Sequence, residues 1–333
     1  MDYALARMRA APDSRAVISP GAVVASVLPV YLLIVAGAVF RRTGIIRKEG
    51  DEGIMKLVFN LMLPCLILDK ILGNTVLRSG SAVLGSIAVG FALIVASIFI
   101  GLAIGRLIGL ERGTGMRTFA ITSGVQNFGF VAAPVIEALW GGSALAVMFV
   151  HNIGVEIAMW SLGIMVMSGE RGISWRKLIN GPLLAVAAGL ILVALGLDTE
   201  ITGPPRKAIS MIGVGAFPIA VFITGSSMMD LLVSEKPTWR IVVGSAVVRL
   251  ALAPLLILTA AKYLPLATEL KQVLIVQAAM PAGMTAILLA RVYGGRPVIA
   301  VQIVITTTLL SLFTLPWIII WGCQWIGLKP LLP

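Results

Sequence analysis

Of the 333 residues in this chain, 59% are hydrophobic and only 12% are charged, against roughly 25% charged in soluble domains, so no large water-soluble domain fits. The net charge of +11 is spread in short basic clusters between apolar runs, whereas a nucleic-acid face needs a continuous stripe, which argues against nucleic acid as a partner. The two cysteines, Cys65 and Cys323, lie in apolar segments, so neither a disulfide framework nor a metal site can be drawn.

Residues 1–20 form an N-terminal extension holding Arg7, Arg9 and Arg15. With the small triplet Ala36-Gly37-Ala38 it invites a signal-peptide reading, but the apolar run is long for a signal and Arg41-Arg42 follow it as anchors, so the first span is expected to be retained. Taking about 20 apolar residues as a membrane-spanning length, spans are predicted over 21–40, 54–73, 82–108, 116–139 and 143–168. After a linker at 169–177, they continue over 178–197, 207–233, 239–262, 270–291 and 297–322, with a tail at 323–333. Landmarks recur at an offset of 153 to 154 residues: Pro29 and Pro182, Pro64 and Pro218, Gly141-Gly142 and Gly294-Gly295. A duplicated membrane unit is a mark of secondary transporters, and an odd number of spans per half makes the repeat an inverted one. The fold class expected is therefore an all-α membrane protein of ten transmembrane helices, as a five-plus-five inverted repeat over 21–168 and 178–322.

Loops after the odd-numbered spans carry fourteen lysines and arginines, among them Arg41, Arg106, Arg171, Arg240 and Arg296, against seven on the other side. Cytoplasmic loops carry the excess, so both termini are expected outside a plasma (inner) membrane, with the extension discordant.

Span four reads Ser123-Gly124-Val125-Gln126-Asn127-Phe128-Gly129 through Pro134, and span nine reads Gln277 through Pro281, Gly283 and Thr285. A proline in mid-span lacks an amide hydrogen and clashes with the carbonyl four residues before it, so Pro134 and Pro281, with Gly129 and Gly283, mark helix breaks. Non-helical backbone survives in a membrane only where it faces protein or a watery cavity. An interrupted helix also offers an N-terminus that favours negative charge. Ser123, Gln126 and Asn127 in span four, and Gln277 and Thr285 in span nine, are thus the candidate donors to an anion. Asn152 and Glu156 stand four apart on span five and share a face with Trp160, while His151 points elsewhere. Glu156 and Arg249 of span eight are costly charges in mid-membrane; they are candidates to pair with each other or to serve in coupling or substrate binding.

The run Asn127 to Pro134 resembles the N-x-G-F-x-x-x-P of the fourth helix in the auxin efflux carrier family, and Ala278-Ala-Met-Pro281 resembles its A-A-M-P motif in the ninth. Asn60-Leu-Met-Leu-Pro64, Arg249-Leu with Pro254, and Ala290 to Gly295 are similar to further family segments, so the resemblance covers nearly the whole chain. It implies the fold of the bile acid symporter superfamily, with helices four and nine broken and crossing and an organic carboxylate beside them. Asn127 would be the polar ligand residue, and a homodimer through the scaffold helices is raised as a partner state. Thr285 departs from the family, in which an asparagine is common at that place; its hydroxyl is shorter and offers fewer hydrogens. The plant hormone itself is not the expected substrate. Asn60 is a candidate ion site, and the coupling ion, H+ or Na+, stays open; no other cofactor is expected.

The function expected is a secondary transporter of small organic anions, with the lipid bilayer as surroundings. The rivals are a membrane-embedded hydrolase, for which one histidine is a poor inventory, and a non-transporting membrane sensor, which would not need two broken helices.

Overall fold

The computed structural model describes residues 20–169, 179–232 and 238–329; most of the extension and of the linker at 169–177 lies outside them. The described residues form helices: α1 (Pro20–Arg42), α2 (51–71), α3 (Gly80–Leu107), α4 (Met116–Gly124), α5 (Ala132–Ser168), α6 (Gly181–Ala194), α7 (Gly203–Val214), α8 (Ala216–Leu232), α9 (Trp239–Tyr263), α10 (Thr268–Ala279), α11 (Thr285–Val292) and α12 (Pro297–Ile326). Among them, six stretches are long and apolar enough to cross a membrane: Val23–Arg42, Gly80–Leu107, Ala132–Ser168, Gly203–Leu231, Trp239–Tyr263 and Pro297–Ile326. Of the other predicted spans, the second forms the unbroken α2 but carries Asp51, Glu52, Lys56, Asp69 and Lys70, the fourth and ninth are broken, and the sixth is shorter. The last helix runs to Ile326, a turn beyond the predicted end.

The local chemistry explains these boundaries. Ser79 caps α3 and Asn180 caps α6, each accepting from an amide of the first turn, which satisfies a donor that the helix leaves bare. Pro64 and Pro254 each follow a π-turn, at Val58–Met62 and Val248–Leu252. The wider turn absorbs the carbonyl that the proline ring would strike. Pro218 lies in the first turn of α8, after α7 has ended at Gly215. Gly141 bends α5 with φ 78° and Gly294 ends the α11 segment with φ 70°. Both repeat partners thus hold the left-handed region that side chains avoid.

Packing divides the helices into two bundles that cut across the sequence halves. In the first, α1 crosses α8 and α2 packs on α6 and α7; in the second, α3 lies on α4 and α5, and α9 to α12 complete the body. Glycines bring the crossing helices into backbone contact, as small residues do in membranes. A Cβ on Gly37 would lie 1.9 Å from the Phe222 carbonyl oxygen, and one on Gly154 would lie 1.9 Å from that of Ile87. Arg41 binds Asp51 and, at 3.3 Å, Asp230, tying α1, α2 and α8 together at the end where the arginine-rich loops emerge.

Candidate functional site

α4 and α10 both stop short, and the chain leaves the helix in an extended conformation at Val125 and at Met280 before α5 and α11 begin. These two unwound stretches cross in antiparallel contact at Gln126 and Ala282. The Asn127 amide donates to the Pro281 carbonyl at 2.7 Å and the Gly283 amide to the Val125 carbonyl at 2.9 Å. Pairing the bare backbone of one break with that of the other satisfies groups that hydrocarbon would leave orphaned. The break in the first stretch precedes Pro134, which sits in the first turn of α5. There its missing amide hydrogen costs nothing, so Pro134 starts the second half-helix rather than kinking a continuous one.

Side chains from four helices hold the crossing. The Phe128 carbonyl accepts from Asn152 Nδ2 at 2.9 Å and from Gln277 Nε2 at 3.1 Å. The Ala282 amide donates to the Thr307 hydroxyl at 3.1 Å. Arg249, fully buried, donates from one guanidinium nitrogen to the Gly124 carbonyl at 3.3 Å and to Gln126 Oε1 at 3.4 Å. A cation at the C-terminal end of α4 faces the negative end of that helix's dipole.

A cavity of about 460 Å³ opens between the two bundles and reaches the crossing, a volume within the range of small-molecule sites. The first bundle contributes Met55, Phe59, Pro182, Phe217 and Ser227; the second contributes Asn127, Asn152, Glu156, Trp160 and Thr285. The lining reaches from the crossing toward the ends of α2, α6, α8 and α11 that adjoin the arginine-rich loops. On the far side the bundles close: a buried apolar cluster runs from α1, α2 and α6 into residues 131–150 of α5. Polar links cross the seam there. Lys70 pairs with Glu137 at 2.7 Å, and the Asn74 amide donates to the Ser143 carbonyl at 3.3 Å.

Of the residues expected at the site, Asn127, Gln126, Thr285, Gly129, Gly283 and Glu156 line the cavity. Gln277 stands behind it as a clamp on Phe128. Ser123 is buried and donates to its own helix at Phe119; it faces Gly101 of α3, away from the cavity. Asn60 donates to the Lys56 carbonyl of its own helix at 2.8 Å and is exposed outside the lining. The expected pairing of Glu156 with Arg249 is not formed. The π-turn of α9 places Arg249 behind the crossing, whereas Glu156 faces the cavity and accepts from Asn180 Nδ2 at 3.1 Å. Asn180 was missed in the sequence, although its place before Gly181-Pro182 is a helix-start signal. Thr307 had no such signal, being a threonine among apolar residues of a long helix.

A family model described as membrane transport protein matches residues 22–174 and 171–319. An uncharacterized transporter of Methanocaldococcus jannaschii is 24% identical over 313 residues, covering 91% of this chain and 98% of that protein. One of Methanothermobacter thermautotrophicus is 25% identical over 299 residues, covering 87% and 95%. With its broken helices crossing at a cavity between two bundles, the chain belongs to the membrane transport protein family, that of the auxin efflux carriers, and is a multi-pass membrane transporter.

Proposed function

We propose that the protein is a secondary transporter that carries small organic anions by alternating access, with its ligand at the crossing of the two broken spans. The observation that carries this reading is the cavity that ends on unwound backbone between two bundles, open on one side and sealed on the other. Ten spans in a five-plus-five inverted repeat account for the arrangement. Spans one, two, six and seven make one bundle and the remaining six make the other, so each bundle takes equivalent members from both halves. By the distribution of basic loops the open side is cytoplasmic.

Three features favour an anion. The Asn127 side-chain amide and the Thr285 hydroxyl are neutral donors in the lining. Thr285 begins α11, whose dipole presents its positive end there. Arg249 sets a buried positive charge directly behind Gln126. The lining offers no histidine to activate Ser227 as a hydrolase would need: His151 packs against Gly90 on the α3 side of its helix.

The test is uptake into proteoliposomes of a panel of monocarboxylates, dicarboxylates and indole acids, with Asn127→Ala beside the wild type. Transport of at least one acid, with KM raised in Asn127→Ala, is expected. Transport of none, or unchanged kinetics in Asn127→Ala, overturns the assignment.

A further inference from the structure

We propose that Glu156 is a proton-binding site of the cavity, and that its protonation admits a carboxylate ligand to the crossing. This rests on the transport reading above. Glu156 is the sole ionisable side chain among the described residues that line the cavity. Its carboxylate accepts from a neutral donor, the Asn180 amide at 3.1 Å, and among the described residues it forms no ion pair. Asn152, one turn away on the same face, donates to Phe128 of the crossing, so Glu156 stands about 6 Å along the helix axis from a residue that holds the crossing.

Among the described residues, the charges on the packed elements are otherwise bonded, turned away or exposed. On α5 itself, His151 points to α3. On α2, Lys56 pairs with Glu52 at 2.7 Å, and Asp69 and Lys70 at the far end pair with Arg206 and Glu137. On α8, Asp230 is held by Arg41. Arg249 of α9 is bound behind the crossing. Arg291, one turn beyond the lining residue Leu288 on α11, is exposed. From α6, Asn180 is the one polar neighbour. Two negative charges in one small cavity of low dielectric repel strongly, so anion and deprotonated Glu156 exclude each other. A proton on Glu156 removes the repulsion, and the Asn180 amide still finds a carboxyl oxygen to bind. By reciprocity, the anion then tightens the proton to the same degree. Proton and carboxylate cross together, and an acid-side gradient drives a monocarboxylate without net charge movement.

Glu156 also ties the bundles: it belongs to the second, and Asn180 caps α6 of the first. A charged carboxylate holds that amide more firmly than a neutral one. Proton uptake therefore loosens the link at the open side at the moment the ligand arrives.

The experiment has two arms on the full-length protein in liposomes. In the first, infrared spectra are recorded between pH 4 and pH 9 for wild type, Glu156→Gln and Glu156→Asp. A protonated-carboxyl band that titrates in the wild type, vanishes in Glu156→Gln and returns shifted in Glu156→Asp is expected. Absence of that band overturns the proposal. In the second, the panel acids are tested for binding at pH 5.5 and pH 8. Affinity ten-fold or more weaker at the higher pH in the wild type, and equal at both in Glu156→Gln, is expected. A Glu156→Gln protein that keeps the full pH dependence, or loses binding at both pH values while its thermal stability is intact, refutes the coupling. If no panel acid binds to any variant, the transport reading falls with the anion half, and the infrared titration still decides Glu156 alone.

Discussion

Two glycines in the unwound stretches offer a paired test of the crossing. A Cβ on Gly283 would lie 2.8 Å from the Gln126 carbonyl oxygen, whereas ordinary contact begins near 3.4 Å. The obstacle is backbone, so no side-chain rotation relieves it; the two strands must part by about 0.6 Å, the difference between those distances. Overpacking of this kind costs about 1–3 kcal/mol. The Gly283 to Val125 and Asn127 to Pro281 hydrogen bonds stretch as the strands part, and each is worth about 1 kcal/mol when fully lost. Gly283→Ala should therefore destabilise by about 2–4 kcal/mol. Gly129, in the other break, has no heavy atom within 4 Å of its Cβ position and no positive φ. Gly129→Ala should stay within about 0.5 kcal/mol of wild type. Unfolding in mixed micelles by added SDS, followed by tryptophan fluorescence, measures both. Equal stabilities for the two variants, in either direction, would refute the packing assigned to the crossing.

Thr307→Val keeps the shape of the side chain but leaves the buried Ala282 amide without an acceptor, and a loss of about 1–3 kcal/mol is expected in the same unfolding assay. Lys70→Ala should cost under about 1 kcal/mol because its pair with Glu137 is partly exposed, yet it removes a link across the closed seam. With Cys65 and Cys323 replaced, a cysteine at 285 should label from the arginine-rich side alone in the wild type and from both sides in Lys70→Ala; identical one-sided labelling in both would count against a seal there. Asp198 lies in the connection between α6 and α7, outside the spans. Desolvation pulls its pKa up, but the Arg78 guanidinium and the Gly73 amide together outweigh it and hold the carboxyl below its ordinary 3.8. A depressed pKa contributes stability above the unfolded value that is lost as pH falls through the folded one. Acid unfolding below about pH 4 should thus be less steep in Asp198→Asn than in the wild type, and coincident curves would contradict the assignment.

Composition and the period of apolar runs placed this chain in a membrane because hydrocarbon demands long stretches whose backbone bonds to itself. The prolines and glycines of spans four and nine marked where that rule is broken, since their effects act on their own backbone. Neighbours in the helix were legible too: Asn152 and Glu156 share the cavity face, as a spacing of four requires. Partners far apart in sequence were not. Nothing at Arg249 tells that it grips Gly124 and Gln126 rather than Glu156, nor does Gln277 reveal that it shares the Phe128 carbonyl with Asn152. Those choices depend on how the twelve helices of the described residues divide into two bundles that cut across the sequence halves. Local chemistry determines where helices start, break and end, while the partition of their faces between neighbours, and with it the cavity, is decided by packing among all of them at once.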